Sequence, residues 1–190
     1  MRMLNRNVKG KEIVLFVLAA NVVYLLMVLV TIPQVMSFSG GMKIFDMKPG
    51  GYDLDYVINL LRKLGPDGRR AYVLHQIPLD MVYPMLAAIA YYMLMLWLFK
   101  KLELQGKPLM YLCLVPLLAG LFDYFENFGV ILMIAGFPYL PPWQVGITSA
   151  ITIVKSVFYT VSYVTLIIGF VVWIVRLVIK ARKKHDPLEI

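Results

Sequence analysis

The chain has 190 residues, of which 61% are apolar and 16% charged, and its mean hydropathy is +0.75. A soluble domain is about half apolar and a quarter charged, so these values exclude both a water-soluble globule and a disordered chain. Cys113 is the sole cysteine, which excludes a disulfide scaffold.

Four stretches are long enough to cross about 30 Å of hydrocarbon as helices. They run over about 13–32, 73–99, 109–136 and 147–177. Their continuity excludes the alternating pattern of a transmembrane barrel. The fold expected is therefore all-α: a polytopic membrane protein forming a single domain, a bundle of four transmembrane helices. The first stretch has the basic start of a signal peptide but is too long for one, and no small-residue cleavage site follows it. It reads as a retained anchor.

Orientation follows from lysine and arginine in the flanks. Arg2, Arg6, Lys9 and Lys11 precede the first span, and Lys100, Lys101 and Lys107 lie between the second and third. Arg176, Lys180, Arg182, Lys183 and Lys184 close the fourth. Those twelve share one side; the opposite side carries six, all in the first loop, where Asp46, Asp53, Asp55 and Asp67 offset four of them. Both termini are expected in the cytoplasm. The net charge of +8 then reads as a topology signal that also contacts anionic lipid at the cytoplasmic face. No nucleic-acid reader motif accompanies it, so nucleic acid is not an expected partner.

The first loop, about 33–72, opens with turn-forming Ser37, Ser39, Gly40 and Gly41. A short amphipathic helix follows. Asp53 suits its N-cap, and Leu54, Val57, Ile58, Leu61 and Leu64 recur at helical spacing. Gly65 suits its C′ position, and Pro66 suits the first turn of the next helix. The expectation is an outer interfacial helix, with a lid over a site as the alternative. In the third connection Phe137, Tyr139 and Trp143 suit the headgroup belt, among three prolines.

The chemistry-bearing residues lie inside the spans: Asp80 in the second, Asp123, Glu126 and Asn127 in the third, Lys155 in the fourth. A charge at a helix centre costs about 2.5–3.5 kcal/mol on insertion scales, so such residues need partners and mark function. At 1.5 Å per residue they fall about 10–15 Å below the outer ends of their helices, with Asp123 about one turn deeper. Asp123, Glu126 and Asn127 share a helix face at i, i+3 and i+4. Gln76, Asp80, Tyr83, Ala87 and Tyr91 form a stripe on the second span. Thr148, Thr152, Lys155, Ser156, Tyr159 and Ser162 form one on the fourth, and Asn21, Tyr24 and Thr31 a weaker one on the first. Pro78 and Pro84 flank Asp80 and free backbone carbonyls near it.

These stripes fade towards the cytoplasm, which favours a pocket opening outward over a through-path. The function expected is a buried ionisable pocket in the outer half of the bilayer that takes a lipid-like or amphipathic small molecule. Glu126, with Asp123 as its partner, is the expected acid/base pair. Asp80 and Lys155 are expected to orient and balance the proton-active group, and together with Asn127, Gln76, Tyr159 and Tyr83 they are the expected ligand-binding residues. One alternative is a proton- or cation-coupled transporter or channel subunit completed by oligomerisation. Another is an assembly protein whose buried charges only fix packing. Two distant histidines and one cysteine supply no transition-metal site, and no dinucleotide, phosphate-loop or HExxH motif is present. No metal or cofactor is expected.

Overall fold

A computed structural model describes residues 8–185, so Arg2 and Arg6 lie outside it. The described residues form helices and turns, with no strand. Four helical runs are long and apolar enough to cross a membrane: Gly10–Phe38, Leu54–Lys101, Pro108–Gly136 and Pro142–Arg182. We call the first run α1. The second divides into α2 (Leu54–Ala71) and α3 (Ile77–Lys101), joined by a π-turn at Tyr72–Gln76. The third enters through a 3₁₀ stretch at Pro108–Leu114 into α4 (Val115–Gly136), and the fourth is α5 (Pro142–His185). The end of the molecule that carries residues 39–53 is called the loop end here. The end that carries Lys100, Lys101 and Lys107 is the basic end.

The amphipathic helix begins as its sequence requires. Asp53 Oδ1 accepts from the Tyr56 backbone N–H at 2.8 Å, which satisfies one of the donors a helix start leaves unpaired. It is broken at Gly65, which stands at φ 63°, ψ −176°, and Pro66 starts the helical run that leads into α3. Val57, Leu60, Leu61 and Leu64 are buried in one core cluster. Met27, Ile32 and Val35 of α1, Val130 and Met133 of α4, and Val145 of α5 share it. The apolar face of α2 is thus covered by the ends of the long helices.

Packing runs in sequence, α1 on α3, α3 on α4 and α4 on α5, with α5 also touching α3. No packing of comparable extent joins α1 to α5. Small residues allow the close approaches. A Cβ built at Gly120 of α4 would lie 2.9 Å from Ala88 Cβ and 3.0 Å from the Pro84 carbonyl oxygen of α3. Backbone therefore meets backbone at that crossing, as small residues permit between apolar helices. The loop end is tied down separately. Ile44 and Phe45 are buried, the Phe45 ring lies 4.8 Å from that of Tyr52, and the Tyr52 N–H donates to Ser149 Oγ of α5 at 2.8 Å. Towards the basic end the interior is apolar, built from Met95, Leu96, Leu98, Phe99, Cys113 and Leu166.

Gly120→Val should lower stability by about 1–3 kcal/mol through overpacking. Gly146→Val, at a position with no atom within 4 Å of a built Cβ, should not. Thermal unfolding of both variants in detergent checks this, and equal melting temperatures would contradict the close crossing.

Candidate functional site

The site begins with the Lys155 ammonium, which α5 places among carboxylates from two other segments. Its Nζ lies 3.0 Å from Asp123 Oδ1 and 3.5 Å from Asp46 Oδ1, and it is in direct contact with Glu126 Oε2. Lys155 is only 7% exposed. A buried ion stripped of water is costly unless its charge and its hydrogen bonds are met by protein groups. Each carboxylate here has a second partner. Tyr159 OH donates to Asp123 Oδ2 at 2.8 Å, Thr152 Oγ1 donates to Glu126 Oε1 at 2.6 Å, and Tyr72 OH donates to Asp46 Oδ2 at 3.2 Å. Thr152 Oγ1 also lies 3.3 Å from the Tyr52 hydroxyl. Burial pushes the Tyr52 phenol well above its ordinary range, so it stays a neutral hydrogen-bonding group. One ligand oxygen each from Asp46, Asp123 and Glu126 come within 4.8 Å of one another. The ammonium of Lys155 occupies the position a metal ion would take between them.

Asp46 is absent from the sequence-based site. It sits in a 3₁₀ turn at Phe45–Met47, whereas Asp53, Asp55 and Asp67, the other acids of the first loop, are exposed. The signal available was its setting: apolar Ile44 and Phe45 precede it and Met47 follows it, in an otherwise polar loop.

Asp80 of α3 is 3% exposed and within hydrogen-bonding reach of Asp46. Its Oδ2 has no donor. Its backbone carbonyl has a partner because of Pro84. Proline at i+4 has no N–H to give to that carbonyl, and Asn127 Nδ2 of α4 donates to it instead at 2.8 Å. One residue along, Tyr124 OH donates to the Met81 carbonyl at 2.8 Å. The carbonyl that Pro84 frees therefore joins α3 to α4. Gln76 lies in the π-turn before α3, opposite a second π-turn in α1 at Met27–Thr31. There Thr31 Oγ1 donates to Gln76 Oε1 at 2.5 Å, while Gln76 Nε2 and Asn127 Oδ1 are buried without partners. His75 faces away, with its Nδ1 3.1 Å from Gln34 Oε1 at the surface.

A cavity of about 510 Å³ adjoins the cluster. Asp80, Tyr83, Asp123, Lys155 and Tyr159 line it, together with Asp46. Glu126, Asn127 and Gln76 do not; they lie behind its wall and are completely buried. Met27, Val28, Ile32 and Met36 of α1 form the apolar side, facing Ser156, Tyr159, Thr160 and Tyr163 of α5. Of the lining residues, Tyr24 and Val28 of α1 and Thr160 and Tyr163 of α5 are exposed, and so are Pro33, Met47 and Pro49 at the loop end, so the cavity opens between α1 and α5 and towards the loop end. Tyrosines continue the polar wall towards the basic end. Tyr163 is hydrogen-bonded to Tyr83 and Tyr91. A second cavity of about 280 Å³ lies between Asn21, Tyr24, Tyr83, Tyr91 and Tyr163.

The sequence-predicted residues therefore sort by position: Asp80, Asp123, Lys155, Tyr159 and Tyr83 line the cavity, and Glu126, Asn127 and Gln76 are buried outside its lining. Tyr24 and Tyr163, which the sequence reading left out of the site, also face the cavity. No protein-family model, curated protein or solved structure matches the chain.

Lys155→Met leaves its carboxylates uncompensated and should cost about 3–5 kcal/mol of stability. Adding Asp46→Asn, Asp123→Asn and Glu126→Gln to that variant should restore most of the loss. Unfolding midpoints in detergent test the pair, and an unchanged midpoint in the single variant would show that the ammonium does not hold the cluster together.

Proposed function

We propose that this is an integral membrane protein whose cavity binds an amphipathic small molecule from within the bilayer. The observation that carries the reading is the juxtaposition at one opening. A wall of Met27, Val28, Ile32 and Met36 faces a wall of Asp80, Asp123, Lys155 and Tyr159 across about 510 Å³. Such a volume and mixed lining suit a small-molecule site. In a four-span bundle the opening between α1 and α5 would face lipid tails, so a molecule could enter without crossing water. The polar wall would take its head and the α1 wall its chain.

The flanking charge supports placing the loop end outside and both termini in the cytoplasm. In that orientation the cavity lies in the outer half of the bilayer and α2 sits at the outer interface. Where the protein acts on its ligand, Asp123 is the group to exchange a proton with it, through Tyr159. Glu126 holds Lys155 from behind the wall and takes part through that contact. Anionic lipid at the cytoplasmic face is the expected surrounding for Lys100, Lys101 and Lys107.

Native mass spectrometry of the gently extracted protein is the test. Wild type should carry a discrete small-molecule adduct. The adduct should be lost in Asp123→Asn/Tyr159→Phe, which alters the polar wall, and in Val28→Trp, which fills the opening. It should persist in Arg176→Ala, whose guanidinium bonds the Leu102 carbonyl towards the other end. A bare wild-type chain would refute the reading.

A further inference from the structure

We infer that the smaller, tyrosine-lined cavity is a second binding site, which takes the hydroxyl group of an uncharged lipid such as a long-chain alcohol or a sterol. The inference rests on the four helical runs spanning a bilayer, as proposed above, and not on what the larger cavity binds.

The first argument is depth. Asn21 of α1 and Tyr91 of α3 line this cavity with Tyr24, Tyr83 and Tyr163. Asn21 lies twelve residues beyond Lys9, and Tyr91 nine residues before Lys100. At 1.5 Å per residue they stand about 14–18 Å from those basic residues, near the middle of a hydrocarbon layer about 30 Å thick. No water is at hand there to satisfy a polar group. Asn21 is nevertheless exposed, on a helix whose Leu18, Val22 and Leu25 are exposed as well. An amide facing hydrocarbon is unfavourable until it finds hydrogen-bond partners.

The second argument is the hydrogen-bonding capacity left in the wall. The hydroxyls of Tyr83, Tyr91 and Tyr163 are hydrogen-bonded to one another. Three such bonds use all three of their O–H donors, so what remains on the tyrosines is acceptor capacity. Asn21 gives one of its two amide N–H groups to the Val17 carbonyl of its own helix, at 2.8 Å, and keeps the other. The wall therefore both accepts and donates. A hydroxyl answers both needs with a single oxygen, whereas an ether, ester or ketone only accepts.

The third argument is charge and size. The lining consists of Ala20, Asn21 and four tyrosines, with no acid or base among them. An ammonium, carboxylate or phosphate would enter without a counter-charge at a depth where an unpaired ion is costly. At about 280 Å³ the space suits a head group and the carbons next to it. The rest of the lipid would lie in the bilayer beyond the exposed Asn21, Tyr24 and Tyr163. The Tyr24 and Tyr83 rings are 5.7 Å apart, and those of Tyr91 and Tyr163 are 5.4 Å apart and edge-on. Their faces give those carbons an apolar surface. Asn21 and Tyr91 do not line the larger cavity, so the two sites are separable by substitution.

The test uses the full chain in phosphatidylcholine nanodiscs. Three probes share a hexadecyl chain with a diazirine near the head and a terminal alkyne: the alcohol, its methyl ether and the trimethylammonium. On illumination the alcohol should label the protein saturably, on α1 and α3 around Asn21 and Tyr91. The ether, which keeps the oxygen but has no O–H, and the trimethylammonium should label about a tenth as much or less. Asn21→Leu/Tyr91→Phe should lower alcohol labelling to the ether level. If that variant fails to fold, the alcohol-to-ether ratio on wild type still decides. Val28→Trp, which fills the opening of the larger cavity, should leave the labelling unchanged. Stronger displacement by unlabelled hexadecanol than by cholesterol assigns a flexible chain, and the reverse a fused-ring body. Displacement by neither, or equal labelling by alcohol and ether, would overturn the inference. So would loss of labelling in Val28→Trp, which would put the alcohol in the larger cavity. The adduct in native mass spectrometry decides separately whether the reading of that cavity survives.

Discussion

The placement of one ammonium governs the loop-end half of this molecule. Lys155 projects from α5 into contact with Asp123 and Glu126 of α4 and with Asp46 of the loop before α2. Those contacts join segments far apart in sequence. They also explain why Ile44 and Phe45 are buried and Asp46 is partly so. Asp46 is drawn in by charge, and Ile44 and Phe45 gain burial on the same turn. Taking a lysine and three carboxylates out of water is unfavourable unless every partner is in place. The hydroxyls of Thr152, Tyr159 and Tyr72 complete the set. The loop end is therefore specified by geometry that tolerates few alternatives.

A second constraint comes from proline. Pro84 removes one intrahelical bond from α3, and the side chain of Asn127 takes over the freed Asp80 carbonyl. Gly120 lets α4 approach α3 closely at that same residue, Pro84. The kink thereby becomes an interhelical joint, which fixes the height of Asp80 against Asp123. Two π-turns meet across Thr31 and Gln76 just beyond it. Such turns reorient the side chains that follow them and recur at functional sites.

Much of this was legible in the sequence, because a charge in an apolar helix stands out against its surroundings. Depth counted at 1.5 Å per residue brought Asp80, Asp123, Glu126 and Lys155 to within about a turn of a common level, and the structure brings them together. Rotation was less legible. Residues at i, i+3 and i+4 share a face that is still about 100° wide. Within that width Asp123 reaches the cavity, Glu126 lies behind Lys155, and Asn127 turns to α3. Asp46 was hidden because a loop acid among lysines looks like a solvated one. Tyr163 sits one turn beyond Tyr159, on the same stripe, but an aromatic in an apolar helix gives no sign of facing a cavity. The break at Gly65 was plain, since glycine followed by proline admits few other conformations.

The two halves of the interior differ in a way that bears on mechanism. At the loop end the interior includes paired polar side chains beside an apolar cluster, and the polar wall continues through Tyr83 and Tyr163 to Tyr91. Beyond Tyr91 it gives way to Met95, Leu96, Leu98 and Phe99, packed on Cys113 and Leu166. An ion moving along the helix axes would have to leave its last polar contact and enter that cluster unpaired, at a cost of several kcal/mol. On the proposed reading, an amphipathic molecule moving sideways between α1 and α5 would meet no such barrier. Its chain would stay against apolar side chains throughout, and only its head would exchange surroundings, from a bilayer to tyrosines and carboxylates. Under the reading proposed above, the lateral route is therefore the one whose chemistry matches an amphipathic molecule.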